Sequence, residues 1–142
     1  MSTLLDTNVL SELLRAVPNP SVVAWVAAQP AESLCVSSVT QAEMLLGARL
    51  LPAGKRHEAL ERALVAMFEE DFAHRIQPFD SAAVPAYVDV VSSRRAAGRP
   101  ISQFDAQIAA IALHHGDKLA TRNVGDFEGC GLSLVDPWRF AA

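Results

Sequence analysis

Short apolar runs alternate with helix-period stretches along this chain, and that alternation limits its fold more than any other feature. Thr3-Leu4-Leu5 is a strand candidate, followed by a helical pattern from Thr7 to Arg15 that Pro18 and Pro20 bring to an end. A short helix over Ser21–Ala28 comes next, then a buried strand at Leu34-Cys35-Val36-Ser37. The helix after it, Thr40–Leu50, carries Ala42, Leu45, Leu46 and Leu50 at helical spacing. Beyond the Pro52-Ala53-Gly54 break the spacing predicts a helix over Lys55–Phe72 and a strand over Arg75–Phe79. A helix over Ser81–Ala97 places Val84, Val88 and Val91 on one face, with Gly98 just past its end and Pro100 as a stop. Ser102–His114 reads as a helix, and Lys118–Thr121 and Leu132–Val135 read as strands. Such alternation with short links implies an α/β fold whose central sheet is mostly parallel, with helices packed on its faces. Ligands of such folds bind beyond the carboxyl ends of the strands.

The 142 residues suffice for one domain, 1–142, and a hydrophobic fraction of 51% excludes wholesale disorder. The longest unbroken apolar run, Val22–Ala28, is seven residues, far short of the ~18 needed to span a membrane. Asp6 interrupts the one candidate signal segment. Cys35 and Cys130 are too few for a disulfide scaffold and form no C-x-x-C motif, so a reduced, cytoplasmic setting is expected. A net charge of −4 makes the chain a poor nonspecific nucleic-acid binder. Any phosphate ligand must be held locally or through a metal.

Four carboxylates share an expected address. Asp6 follows the first strand, Glu43 lies early in the helix after the second, Asp105 sits in the first turn of its helix, and Asp126 lies in the loop after Lys118–Thr121. Helix starts after parallel strands share one sheet edge, so these acids can converge. Hard oxygen ligands without cysteine suit Mg²⁺ or Mn²⁺. Each acid also has a plain structural reading. Thr40-x-x-Glu43 and Ser102-x-x-Asp105 fit capping boxes, Asp6 fits a helix cap, and Asp126 fits a loop residue. Only their coincidence on one edge points to chemistry.

The segments Leu4-Leu5-Asp6-Thr7-Asn8-Val9-Leu10, Ser37-Ser38-Val39-Thr40-Gln41-Ala42-Glu43, Phe104-Asp105-Ala106-Gln107-Ile108 and Ala120-Thr121-Arg122-Asn123-Val124-Gly125-Asp126-Phe127 occur in that order. Together they resemble PIN-domain ribonucleases, in particular VapC-type toxins of toxin–antitoxin pairs. The ending Val135-Asp136-Pro137-Trp138 is similar to the FitB-like branch. The resemblance implies a single PIN domain, an α/β/α sandwich, and a metal-dependent endoribonuclease. It implies that Asp6 and Asp105 hold Mg²⁺ or Mn²⁺ directly, and that Glu43 and Asp126 do so directly or through water. Asn123 competes with Asp126 for the fourth position, and Thr121 and Asn123 fit supporting hydrogen-bond roles. A VapB-like antitoxin whose tail enters the acidic groove, a toxin homodimer and a toxin–antitoxin hetero-oligomer are implied partners, alongside the RNA substrate. Setting the four acids aside leaves twelve acidic against twelve basic residues, so the excess charge matches the site.

Other features divide between roles. Ten of the twelve basic residues are arginines. Arg94, Arg95, Arg99 and Arg122 can guide an RNA backbone, with Arg122 and Arg99 the retained candidates, or form a solvated helix face. His114 and His115 suit a helix C-terminus, while Trp25 and Cys35 suit the core. Two alternatives remain. A haloacid-dehalogenase-like phosphatase also uses a strand-end Asp with Mg²⁺, but resembles D-x-D-x-T, whereas Asn8 stands in the second acid's place here. A non-catalytic PIN-fold binding module is the other.

Overall fold

The computed structural model describes residues 1–141. Its elements are β1 (Thr3–Leu5), α1 (Thr7–Leu13), α2 (Pro20–Ala28), β2 (Leu34–Ser37), α3 (Ser38–Arg49), α4 (Lys55–Ala66), β3 (Ile76–Gln77), α5 (Val84–Ala96), α6 (Gln103–His115), β4 (Lys118–Ala120) and β5 (Leu134–Val135). All pairings in the five-stranded sheet are parallel, in the order β3-β2-β1-β4-β5. Strands β2 and β3 step outward on one side of β1 and β4 and β5 on the other, so the order reverses between β1 and β4. At that point the connections diverge and leave a crevice at the carboxyl ends of the strands.

Alternate strand residues feed two cores. Leu5, Leu34, Val36 and Ala120 pack with Leu10, Val22, Trp25, Met44, Leu64 and Phe68 of the first four helices and the turn after α4. Leu4, Cys35 and Leu119 pack with Val90, Ile108, Ala109, Ile111 and Phe127 on the opposite face. This is the α/β/α sandwich. Leu4 and Leu5 are both buried, each worth roughly 1.5–3 kcal/mol on transfer from water, so a one-residue slip of β1 would exchange their two cores.

Several boundaries differ from the sequence reading. Pro20 does not end a helix; it occupies the first position of α2, behind an Asn19 cap whose side chain accepts from Ser21 and Val22. After Ala66 the expected α4 continuation is a π-turn, Met67–Asp71, and β3 spans only Ile76–Gln77. Two expected apolar faces are only half turned inward: Leu45 and Val91 pack against the cores, whereas Leu46 of α3, Leu50 just past its end, and Val84 and Val88 of α5 are exposed. The inward faces carry Thr40, Met44 and Ala48 in α3, and Val90 and Arg94 in α5. Gly98 adopts the expected left-handed conformation, φ 72°. Among the described residues no helix is long and apolar enough to cross a membrane.

Candidate active site

β1 is followed directly by Asp6, which is the N-cap of α1 and is buried. Its Oδ1 accepts the Thr7 N–H at 2.8 Å. Its Oδ2 accepts the Thr121 hydroxyl at 2.8 Å and the Asn8 amide at 3.3 Å. The capping and the chemical readings of Asp6 are therefore compatible, because the cap occupies only one oxygen. Thr121 lies just past β4, across the reversal point, and accepts the Asn123 N–H at 3.0 Å. Burial pushes the Asp6 pKa up; the Thr121 and Thr7 hydrogen bonds oppose this, and the nearby charges of Asp105 and Glu43 push it further up.

Glu43 is not the acid of a capping box. The cap of α3 is Ser37, whose hydroxyl accepts the Thr40 N–H at 2.9 Å, so the helix starts earlier than expected and Glu43 lies in its second turn. Its Oε1 instead accepts the Thr7 hydroxyl at 3.1 Å. That hydroxyl also lies 3.0 Å from Thr40 Oγ1. At the start of α6, Ser102 accepts the Asp105 N–H at 3.2 Å, one half of the expected box. Asp105 is half-buried. Burial raises its pKa, the Ser102 hydroxyl opposes this, the Asp126 charge raises it further, and the Arg94 charge lowers it.

Asp6, Glu43 and Asp105 thus reach one cleft of about 550 Å³ from three separate elements, with Asn123 and Arg122 at its wall. Thr121 stands behind Asp6, fully buried. Asp126 is exposed and does not line the cleft, although its charge acts on Asp105. The exposed Arg122 guanidinium lies 5.3 Å from the Trp138 ring centre. Arg99 also stands off the cleft, 3.5 Å from Glu128 and 3.4 Å from the Gly125 carbonyl. Arg94, expected on a solvated face or against RNA, does neither: it is buried. His114 and His115 are exposed at the end of α6.

Sequence reasoning assigned no role to Thr7, Asn8, Ser11, Glu12 or Arg15, which also line the cleft. The signal was present: Asn8, Ser11, Glu12 and Arg15 form a polar stripe at helical spacing beside apolar Val9, Leu10 and Leu13. Glu12 is buried and accepts the Asn19 N–H at 2.9 Å. That bond, with Arg15 beside it, holds the Glu12 pKa below the usual value.

The donors facing the cleft are carboxylate and amide oxygens, which fit a hard divalent cation. Among the described residues no group of three His, Cys, Asp or Glu side chains is drawn together as a ready-made metal cage. One or two carboxylates completed by water is the usual arrangement for Mg²⁺, and Asp6 with Asp105 fits it.

The PIN domain sequence profile matches residues 3–128. The chain belongs to the PIN domain family. It is 40% identical over 134 residues to "VapC ribonuclease Y4jK" of Sinorhizobium fredii, covering 94% of this chain and 96% of that one. It is likewise 40% identical over 139 residues to "Toxin FitB" of Neisseria gonorrhoeae, covering 95% and 97%. In a solved structure of FitAB bound to an IR36 DNA fragment, one chain superposes with a TM-score of 0.92 at 38% identity, covering 99% of this PIN domain and 98% of that chain. The phosphatase alternative finds no support here. The Asn8 side chain of this PIN domain donates to Asp6 and accepts the Arg122 N–H at 3.3 Å, so it braces the acid rather than acting as a second one.

Proposed function

We propose that this PIN domain is a divalent-metal-dependent endoribonuclease and the toxin of a toxin–antitoxin pair, acting in the cytoplasm. The observation that carries the reading is the convergence of Asp6, Glu43 and Asp105 on one cleft at the reversal point of the sheet. The kinship with a VapC ribonuclease and a FitB toxin supports it.

Asp6 and Asp105 would hold Mg²⁺ or Mn²⁺, and Glu43 would do so directly or through water. Asp126, which stands off the cleft, would act through its charge on Asp105, leaving Asn123 at the cleft wall as the better-placed fourth residue. Such an ion, when bound, activates water and neutralises the charge that builds on a phosphodiester. The chain's own residues prepare the place. Thr121 and the Thr7 N–H fix the Asp6 carboxylate in one orientation, and the Thr7 hydroxyl fixes Glu43. Thr121 and Asn123 are coupled through a hydrogen bond, so the cleft wall and the Asp6 brace form one unit. Arg122, which stands over Trp138 at the cleft wall, would take an RNA phosphate. Arg99 contributes less directly, since it contacts the Gly125–Glu128 loop.

An acidic cleft is complementary to a basic protein tail, and the proposed inhibitor is a VapB-like antitoxin bound to a toxin homodimer as a hetero-oligomer. Incubating the purified chain with RNA tests the activity. Cleavage should disappear in chelator and return with Mg²⁺ or Mn²⁺, while small phosphate monoesters stay intact. Undiminished cleavage in chelator overturns the metal mechanism. If no RNA is cut and a host expressing the chain grows normally, the non-catalytic module is the better account.

A further inference from the structure

Arg94 occupies an unusual position for a cation. It lies in the last turn of α5 and is 6% exposed, yet among the described residues no carboxylate lies within ion-pair distance of it. Its partners are three backbone carbonyls and the buried Cys130 sulfur, 3.6 Å from Nη1. Nε donates to the Arg99 carbonyl at 2.6 Å, and Nη1 donates to the Asp126 carbonyl at 2.8 Å and the Glu128 carbonyl at 3.1 Å. The Arg99 N–H returns a bond to the Arg94 carbonyl at 2.9 Å. Gly129, at φ +79°, lies beside the aliphatic stem, where a Cβ would make an ordinary 3.9 Å contact with Arg94 Cδ.

These carbonyls belong to two loops of specific content. Arg99 begins the segment that leads into α6 and Asp105. Asp126 lies at the end of the short helical turn Val124–Phe127 and Glu128 directly follows it, where carbonyls lack helical partners. One guanidinium therefore joins the two segments that carry the third and fourth candidate acids, from beneath the site. Burying a charge is costly without compensation. Here the compensation comes from three carbonyl dipoles, the Cys130 sulfur and the charge of Asp105 beyond them.

We infer that Arg94 is a positioning residue: it ties the Arg99–Asp105 approach to the Asp126–Glu128 turn and so sets how Asp105 and Asp126 stand relative to each other. The inference rests on the nuclease reading for its purpose but not for its geometry. Lysine cannot replace this tie, because a single ammonium at the end of a flexible stem cannot reach carbonyls on both loops in the planar fork of a guanidinium.

The experiment compares wild type, Arg94→Lys and Arg94→Met as full chains. Hydrogen exchange on metal-free protein should show the amides of Gly98–Asp105 and Val124–Cys130 exchanging at least ~10-fold faster in both variants, with β1 and β2 unchanged. Should Arg94→Met fail to fold, Arg94→Lys, which keeps the charge and most of the volume, carries the comparison. Unchanged exchange in those loops overturns the brace. Mn²⁺ titration by calorimetry should show affinity reduced about 10-fold in Arg94→Lys, with kcat for RNA falling and KM little changed. Loosened loops with wild-type Mn²⁺ affinity and kcat overturn the link to the site. A wild-type chain that binds no Mn²⁺ counts against the nuclease reading alone, since the exchange data judge the brace without metal.

Discussion

Two carboxylates are buried at opposite ends of the same sheet. Asp6 lies at the carboxyl end of β1, and Asp117 lies at the amino end of β4, 3.6 Å from the Cys35 thiol. Burial raises the pKa of each, and burial together with Asp117 pushes the Cys35 thiol up to about 12. What separates them is company. Asp6 is fixed by three donors, has Asp105 and Glu43 as electrostatic neighbours, and opens onto a cleft. Asp117 touches a neutral thiol; the thiol hydrogen bond, His115 and the N-terminal amine oppose the effect of burial, and the cleft does not include it. A perturbed carboxyl alone does not mark a site; convergence of like charges on an open space does.

The largest expected effect breaks the comparison in half. Asp6→Asn should cut RNA cleavage at least ~100-fold, the scale of losing a principal electrostatic element, whereas Asp117→Asn should leave it near wild type. Equal losses would mean that burial, not position, matters. Next in size is Asp105→Asn, measured by melting. It removes one of several like charges, so metal-free protein at neutral pH should melt about 2 °C higher, with Mg²⁺ stabilisation weakened. A mutant that melts lower without metal yet gains fully from Mg²⁺ would return Asp105 to a cap. Asp117→Asn should also raise the melting temperature, by about 1 °C, but keep the full Mg²⁺ response.

The pH profile supplies the finest distinction. Asp6, Asp105 and Asp117 bind protons more tightly when folded, so each is destabilising at neutral pH, and that cost is relieved as pH falls through its raised pKa. Glu12 and Glu61 have the opposite sign: their stabilisation, present above the unfolded pKa, is lost as pH falls through their lowered folded pKa values. Metal-free protein should therefore gain stability slightly on mild acidification and lose it on stronger acidification. Chemical denaturation across pH reads this directly, and excess Mg²⁺ should suppress the gain from Asp6 and Asp105 but not that from Asp117.

Much of this arrangement was legible in the residues. The short run Thr3-Leu4-Leu5, followed by Asp6 and a helical pattern, located β1, its end and the acid together. The phases of α3 and α5 were not legible, because Leu46, Leu50, Val84 and Val88 outweigh smaller residues in any apolar pattern. It is Thr40, Ala48, Val90 and Arg94 that face inward, and Thr40 and Ala48 are small enough for α3 to lie close to its neighbours. The cap of α3 was misplaced since Ser37, Ser38 and Thr40 all offer hydroxyls, and only backbone geometry selects Ser37. Arg94 has no sequence signature as a brace, because three of its acceptors are carbonyls, which every residue possesses, and the fourth is a lone cysteine 36 residues away.

The sheet order also has a consequence in time. The Thr121–Asp6 hydrogen bond closes 115 residues of sequence separation, and β1 has β4 as its second neighbour. A ribosome that has made the first hundred residues has already supplied Asp6 and Glu43 but neither Asp105 nor Thr121, and the central strand still lacks one side of its ladder. Pairings this distant form late. A chain interrupted before β4 holds some of the acids without the geometry that unites them, so the cleft comes into being only once β4 has joined the sheet.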